Sequence, residues 1–301
     1  MNKRELFSKT KYPVLLLLIM ITMQTCSTVA FTGRRQLNLV SGEQVLALSL
    51  QQYQEYIRSA PVERGTANAE MVNRVGTRIA SAVETFYRSN GYESELKDYQ
   101  WEFNLVKENS VNAFAMPGGK IVVLEGLLAV TQTEEALAVV LGHEVAHVIA
   151  QHSAERISQQ MAVQYGGAIA GGLMGSSAGA QLGQQVFGIG AQLGVMLPYA
   201  RKQELEADEI GLIIMALAGY NPEVAIPFWQ RMAQSSGGGS SELLSTHPSD
   251  QKRIEKIQAA LPNAMQYYKG AGVQNKAVSN IKTSTSIPVT ENARTSEEWS
   301  F

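Results

Sequence analysis

A nearly apolar stretch of chain that carries three polar side chains constrains the fold of this protein most. Apart from His143, Glu144 and His147, residues 136–149 are all Ala, Leu, Val, Gly or Ile. The stretch lies in a predicted helix over Thr133–Gln160, and a helix that is apolar all round is typical of a protein core. A buried polar group without a partner costs on the order of 1–3 kcal/mol. The three side chains are therefore expected to share a partner inside the protein.

These side chains form the pattern H-E-x-x-H. At about 100° per residue, His143 and His147 lie one turn apart on one helix face, where both can bind one ion. Imidazole suits zinc, and a catalytic zinc site has three protein ligands and an open position for water. Glu144 lies beside this face, placed to take a proton from a water whose pKa zinc lowers toward about 7. Read alone, the motif also fits a surface helix with two solvated histidines.

A third metal ligand has to come from outside the motif. His152 follows His147 by five residues, about 140° around a continuous helix, so it is expected to face away, either at the surface or behind the ligands. Because the chain has four histidines, the pattern H-E-x-x-H-x-x-G-x-x-H is excluded. Glu204 and Asp208 lie one turn apart on a predicted helix, so one can bind metal and the other can orient a ligand histidine. Glu206 points to another side, and an ordinary acidic helix start is the alternative.

The rest of the sequence predicts helices and a small sheet. Apolar residues at helical spacing and a period-two pattern predict these elements. The helices are Ser41–Ile57, Ala67–Arg88, Leu205–Gly219, Pro222–Met232 and Ser249–Leu261, and the strands are Tyr99–Val106 and Lys120–Leu124. The predicted fold class is therefore α+β and predominantly helical, with the helix of the motif packed on a small β-sheet.

The first 26 residues have the composition of an export signal. Basic residues precede an uncharged run over Tyr12–Thr25, which is shorter than the roughly 20 apolar residues of a membrane span. Cys26, the only cysteine, follows this run and resembles the lipid acceptor of a bacterial lipoprotein, although Met23 and Thr25 depart from the usual residues. The alternative is an incidental thiol in a leader that is cleaved further on, for example after Ala30. Export to the bacterial envelope is expected, as an outer-membrane lipoprotein facing the periplasm.

A glycine-rich segment without charge separates Arg156 from Arg201. Its glutamines disfavour a membrane span, and its small residues favour a packed hairpin or a lid over Gly166–Gly194. After about Gly270 the chain is rich in Ser, Thr and Asn, which indicates a disordered tail. The net charge of -2 and the lack of a basic stripe exclude nucleic acid as an expected partner.

Two further motifs complete a resemblance to a known family. Asn112–Gly119 reads N-A-F-A-M-P-G-G, and Thr246-His247-Pro248 is followed by Arg253. Together with H-E-x-x-H and E-x-x-x-D, they resemble the gluzincin metalloproteases HtpX, BepA, LoiP and the CAAX prenyl endopeptidases, over roughly Ser41–Leu261. The soluble, lipid-anchored LoiP and BepA branch is the most similar. The leader is not Arg-rich, so bacterial export is preferred over the mitochondrial location of another member.

The resemblance implies a zincin (gluzincin) fold and peptide hydrolysis at one Zn²⁺ per chain. Together with the composition of the ends, this predicts four parts: a signal peptide over 1–26, a linker and N-terminal helix over 27–66, the metallopeptidase domain over 67–265 and the disordered tail over 266–301. The implied roles are catalysis by Glu144, metal binding by His143, His147 and Glu204, support or gating by Asp208, His247 and Arg253, and pairing of substrate with a strand of Asn112, Ala113, Phe114 and Ala115.

Two functions stay open at this point. One is an endopeptidase that acts on unfolded, misfolded or misassembled envelope proteins while a lipid holds it to the membrane. The other is an envelope chaperone or assembly factor with a latent zinc site that His247 closes. His247 can instead be a loop histidine that caps the last helix. The oligomeric state stays unknown.

Overall fold

The structure, a computed structural model, describes residues 26–159, 201–235, 243, 247 and 251–269. The predicted signal peptide up to residue 25, the glycine-rich segment and the predicted tail from residue 270 lie outside the described residues. Among the described helices, none combines the length and the apolar character that a membrane span requires.

Most predicted helices and strands have a counterpart in the described residues, with shifts of a few residues at their ends, while four short elements were not predicted, namely Cys26–Thr28, Arg35–Leu37, Val62–Glu63 and Glu125–Thr131. Short 3-10 turns occur at Glu93–Leu96 and Pro222–Val224. In chain order, the elements are β1 Cys26–Thr28, β2 Arg35–Leu37, α1 Gly42–Ser59, β3 Val62–Glu63, α2 Ala67–Ser89, β4 Glu102–Val106, β5 Ala113–Met116, β6 Lys120–Leu124, α3 Glu125–Thr131, α4 Glu134–Ile149, α5 with residues 152–159 described, α6 Arg201–Leu217, α7 Ala225–Ser235 and α8 Gln251–Met265.

Four of the strands form one small mixed sheet in the order β3-β4-β6-β5. The central pair β4–β6 is parallel, and the outer pairs are antiparallel. All five residues of β6 are buried, which suits its β-branched run, since a strand covered on both faces reads as continuously apolar. β5 has no strand partner on its far side among the described residues. The sheet therefore ends, on the side of the motif helix, in an open edge.

Helix α4, which carries H-E-x-x-H, lies at the centre of the molecule. Thr133 caps its N-terminus by accepting a hydrogen bond from the Ala136 N–H, and every residue from Ala136 to Ile149 is buried. A solvated surface helix is thereby ruled out. The expected partner for the three polar side chains must lie within the fold.

Helices α4 and α6 touch backbone to backbone. A Cβ atom added at Gly142 would lie 2.9 Å from the Gly211 carbonyl oxygen, and one added at Gly211 would lie 3.0 Å from the His143 nitrogen. Only glycine allows both approaches, because any larger side chain would separate the helices. This contact brings the acidic N-terminal part of α6 against the histidines of α4.

The prediction of one continuous helix over Thr133–Gln160 was wrong. Helix α4 ends at Ile149 with Ala150 as its C-cap, and Gln151 has a φ of 53°. A left-handed residue cannot continue a right-handed helix, so α5 starts afresh at residue 152 in a new direction.

The segment before α1 is more than the linker that its polar sequence suggested. β1 and β2 pair as an antiparallel hairpin, and Val29 and Phe31 in its loop are buried in the main core. The Phe31 ring stacks on Phe86 of α2 with a centroid distance of 4.1 Å. The hairpin is therefore part of the folded domain.

Candidate metal centre

Four buried side chains converge, two from α4, one from α6 and one from His247, which precedes α8 by four residues. One ligand atom from each of His143, His147, Glu204 and His247 lies within 4.8 Å of the others. The Nε2 atoms of His143 and His147 are 3.0 Å apart. The Glu204 carboxylate oxygens lie 3.3 Å from His143 Nε2 and 3.4 Å from His147 Nε2. The two histidines and the glutamate that the sequence singled out are thus brought together.

This donor set fits zinc. Imidazole nitrogens and a carboxylate are zinc ligands, and His143 and His147 both direct Nε2 at the same point. Next to that point, Glu144 Oε1 is buried and has no hydrogen-bond partner among the described residues. It lies at ion-pair distance, 3.4 Å, from His247 Nε2. A buried carboxylate oxygen without a hydrogen bond is costly in a purely structural cluster, whereas it is expected of a group that contacts a reacting water.

The other ring nitrogen of His143 is held by a carboxylate. Its Nδ1 lies 2.9 Å from Asp208 Oδ1, and Arg253 donates to both oxygens of Asp208 at 2.6 and 2.7 Å. Arg253 also stacks over the Trp229 ring at 3.9 Å. A carboxylate on Nδ1 keeps a proton there, so that a metal is bound through Nε2, which gives up any proton of its own when the metal binds.

The charges in the cluster are set by burial and by neighbouring carboxylates. Burial lowers the pKa of His143, but Asp208 and Glu204 outweigh it and raise that pKa to about 9. Burial brings the pKa of His147 well below its ordinary value, although Glu204 opposes this. Burial raises the pKa of Glu204, and the charge of His247 and hydrogen bonds from the histidines outweigh it and bring that pKa well down. Glu204 is therefore anionic, as a metal ligand must be.

Glu144 differs from the other carboxylates. Burial raises its pKa above the ordinary value, although His247 and His143 and the backbone N–H of Ala115 oppose the shift. A carboxylate with a raised pKa suits a group that takes up a proton and gives it back. Ala115 belongs to β5, so this contact also places Glu144 beside the open edge of the sheet.

His247 lies inside the ligand group. Its Nδ1 is 3.1 Å from His143 Nε2 and 3.1 Å from Glu204 Oε2, and its Nε2 is 3.4 Å from Glu144 Oε1. Its backbone carbonyl accepts a hydrogen bond from Arg253 Nη1 at 3.1 Å, which fixes it against α8. The geometry therefore favours a histidine that reaches the metal over one that only caps the last helix.

Behind the ligands lies a pair of residues, of which only His152 was expected there from the sequence, as one of two alternatives. His152 Nδ1 lies 2.8 Å from His147 Nδ1, and His152 Nε2 lies 3.0 Å from Glu206 Oε2, with both residues buried. Glu206 does point away from Glu204, as expected, and His152 occupies that side. A surface position for His152 was one of the two expectations and is wrong. The break at Gln151 brings the ring back onto His147, and helical periodicity carries no signal of that break.

A cavity of about 250 Å³ opens beside the cluster. It is enclosed by the start of α1, the segment before β4, the turn after β5 and the start of α5. Residues of each wall and the ligand histidine line it, among them Leu46, Tyr99, Ala115, Pro117, His147 and Val148. Space for a substrate side chain therefore lies between the end of β5 and the candidate ligands.

The fold and the site together define a zinc metallopeptidase of the gluzincin type, in which two histidines of one helix and a glutamate of a second surround the metal position. The expected α+β fold is confirmed. Residues 73–261 match Peptidase family M48, and this chain belongs to that family. The resemblance that the motifs indicated is thus confirmed, as is zinc as the metal.

Named relatives occur in mitochondria and in bacteria. The chain is 40% identical over 173 residues to "Mitochondrial metalloendopeptidase OMA1" of Schizosaccharomyces pombe, covering 57% of this chain and 50% of that protein. It is 28% identical over 242 residues to the human "Metalloendopeptidase OMA1, mitochondrial", covering 78% and 45%. It is 27% identical over 206 residues to the "Beta-barrel assembly-enhancing protease" of Yersinia pestis, covering 65% and 39%. The chain thus spans about half the length of these curated relatives, or less.

Proposed function

We propose that this chain is a zinc endopeptidase that cleaves misfolded or misassembled proteins of the bacterial cell envelope. The observation that carries the proposal is the open edge of β5 beside Glu144 and the ligand group. The Leu124 N–H donates to the Asn112 carbonyl, and hydrogen-bonded pairs alternate along an antiparallel ladder. The backbone groups of Ala113 and Ala115 therefore face away from β6, toward the site.

A peptide that pairs with this edge would be held by its backbone. Main-chain hydrogen bonds supply affinity in such strand addition, while pockets for alternate side chains supply selectivity. The cavity near Ala115 and His147 is one such pocket. Binding through the backbone tolerates many sequences, and it requires an extended segment, which unfolded and misassembled proteins expose. The substrate class follows from these two requirements.

The residues of the chain then divide the reaction between them. When bound, zinc supplies a Lewis acid for the scissile carbonyl and lowers the pKa of a water. Glu144 takes a proton from the attacking water on Oε1, which forms no hydrogen bond with the described residues, and delivers it to the leaving amine. Asp208 and Arg253 keep His143 oriented, and β5 keeps the scissile bond in line with Glu144.

A second candidate function is that of a chaperone or assembly factor whose protease site is latent. The specific observation is the position of His247, because a fourth protein ligand would occupy the position that a catalytic zinc keeps open for water. The name of the Yersinia pestis relative joins a protease to β-barrel assembly, so both functions agree with it.

Zinc content and casein cleavage of the purified mature chain test these proposals, with His247→Ala as the matched variant. We expect about one zinc per chain, cleavage that a chelator abolishes and zinc restores, and faster cleavage by His247→Ala. Cleavage by the variant alone would identify a latent enzyme. Bound zinc without cleavage by either form would favour the chaperone, and absence of zinc would contradict the metal centre itself.

The location is proposed to be the envelope, with a lipid on Cys26. β1 begins at Cys26, so a lipid there would hold the folded domain close to a membrane. We expect Cys26→Ser to move the protein from the membrane fraction to the soluble fraction and to abolish incorporation of labelled palmitate. Membrane association unchanged by the substitution would contradict the lipid anchor, and import of the full chain into isolated mitochondria would favour the location of the OMA1 relatives.

A further inference from the structure

We propose that His152 and Glu206 are positioning residues that hold the candidate ligand His147 in its metal-binding tautomer. Arg34 of the N-terminal hairpin completes a hydrogen-bonded relay that runs from His147 through His152 and Glu206 to Arg34. The inference deepens the proposed function. It rests on the zinc site and is independent of whether the chain cleaves peptides.

Hydrogen-bond roles along the relay follow from its carboxylate end. Glu206 accepts hydrogen bonds, so His152 must carry its proton on Nε2, which lies 3.0 Å from Glu206 Oε2. In the neutral His152 ring that we propose, Nδ1 is then an acceptor. It lies 2.8 Å from His147 Nδ1, which must therefore be the donor. With its proton on Nδ1, His147 leaves the Nε2 lone pair free, and that atom faces the ligand group.

The two candidate ligands of α4 are thus oriented by different means. His143 contacts the Asp208 carboxylate directly at 2.9 Å, which is the common arrangement for a metal-bound histidine. His147 reaches its carboxylate, Glu206, through the ring of His152. The second arrangement depends on the break at Gln151, because in a continuous helix His152 would face away.

Two residues of the hairpin hold the carboxylate at the far end. Thr32 Oγ1 donates to Glu206 Oε1 at 2.6 Å, and Arg34 Nε donates to Glu206 Oε2 at 2.7 Å. With His152 Nε2 at 3.0 Å, three donors point at the Glu206 carboxylate, and one of them belongs to a guanidinium that cannot accept. Glu206 therefore stays an acceptor. Both hairpin residues precede residue 73, where the match to the family begins.

The chain provides a matched control for this relay. Arg34 also donates to both oxygens of Glu155, at 2.7 and 2.9 Å. Glu155 and Glu206 are equally buried, at 6% and 7% exposed, and each forms an ion pair with Arg34 at 2.7 Å. Of the two, Glu206 is the one whose carboxylate lies within hydrogen-bond distance of a His152 ring nitrogen, at 3.0 Å, whereas Glu155 accepts from Gln203 Nε2 at 2.8 Å. A role limited to stability would make the two glutamates equivalent, whereas the relay makes them differ.

Zinc affinity measured by competition with a chelator separates these cases. We expect His152→Leu and Glu206→Leu to raise the zinc Kd about 10–100-fold, the usual effect of losing a partner of a ligand histidine. His152→Asn should restore most of the affinity, because its Oδ1 can take the place of Nδ1. Glu155→Leu should lower the stability of the metal-free protein as Glu206→Leu does, but leave the zinc Kd within about twofold. Equal zinc Kd values for the two glutamate variants would overturn the proposal.

Histidine ¹⁵N NMR of the zinc-loaded wild-type protein tests the proton positions without any substitution. We expect His147 as the Nδ1–H tautomer and His152 as the neutral Nε2–H tautomer. A proton on His152 Nδ1 would contradict the relay even if the zinc Kd of His152→Leu were raised. The variants could show the predicted zinc Kd values while the wild-type chain fails to cleave casein. That result would support the relay and contradict the endopeptidase.

Discussion

Glu144→Gln is expected to slow casein cleavage by a factor of about 10²–10⁴, the usual contribution of a general acid–base group, while one zinc per chain is retained. Glutamine has the shape of glutamate, but it cannot take up the proton of the attacking water. Metal binding should survive because Glu144 lies beside the ligand group, with its Oε1 3.4 Å from His247 Nε2, and is not one of the four grouped side chains. The measurement is the cleavage rate together with the zinc content of each preparation.

Glu135→Gln is the matched control for this prediction. Glu135 lies in the first turn of the same helix and is exposed, so its charge should have no influence on the rate. Cleavage by Glu144→Gln at the wild-type rate would show that another group activates the water, or that the activity belongs to a contaminant. Loss of zinc from the variant would mean that Glu144 itself helps to hold the metal.

Asp208→Ala is expected to lower the free energy of unfolding by about 3–5 kcal/mol, the cost of breaking a buried ion pair by removing one partner. Arg253 is buried and donates two hydrogen bonds to Asp208, and after the substitution Glu204, at 3.4 Å, is its nearest remaining carboxylate. His143 also loses the acceptor for its Nδ1 proton. The zinc Kd should therefore rise about 10–100-fold. Urea unfolding of the metal-free protein and chelator competition measure the two effects separately.

A double variant separates the effect of the buried Arg253 charge from the effect of losing the contact that orients His143. Asp208→Ala with Arg253→Met removes the guanidinium that has lost Asp208 and keeps an apolar chain over the Trp229 ring, which Arg253 covers at 3.9 Å. We expect it to unfold at a higher urea concentration than Asp208→Ala alone, because apolar replacements of buried ion pairs are often neutral or stabilising. Its zinc Kd should stay raised, since His143 still lacks its acceptor. Additive losses of stability would refute the buried-charge explanation.

Local sequence determined the motif helix and its chemistry. The spacing of His143 and His147 places both rings on one face of any α-helix, and the apolar residues around them require that helix to be buried. Thr133 caps the helix through a contact with the Ala136 N–H, only three residues along the chain. These features depend on contacts within a few residues, and the structure reproduces them. The strand Lys120–Leu124 has the predicted bounds for the same reason.

Tertiary structure decided what each carboxylate does. The sequence placed Glu204 and Asp208 on one face of a helix without assigning the metal to either of them. The backbone contact between Gly142 and Gly211 sets how α6 lies against α4, and in that position Glu204 faces Nε2 of the histidines while Asp208 faces Nδ1 of His143. The assignment depends on the packing of two helices, which periodicity within one helix does not contain.

The same reason explains the residues that the sequence analysis placed wrongly or left undecided. His247 enters the ligand group across more than a hundred residues of chain from His143. His152 returns to His147 only because Gln151 takes a left-handed conformation, and Arg34 reaches Glu206 only because the hairpin packs on the core. Helical spacing is a local property that the sequence determines by itself. The contacts behind the ligands, among His152, Glu206 and Arg34, join distant segments of the chain. Only the packed tertiary structure, with its excluded volume and buried hydrogen bonds, therefore decides which of these contacts form.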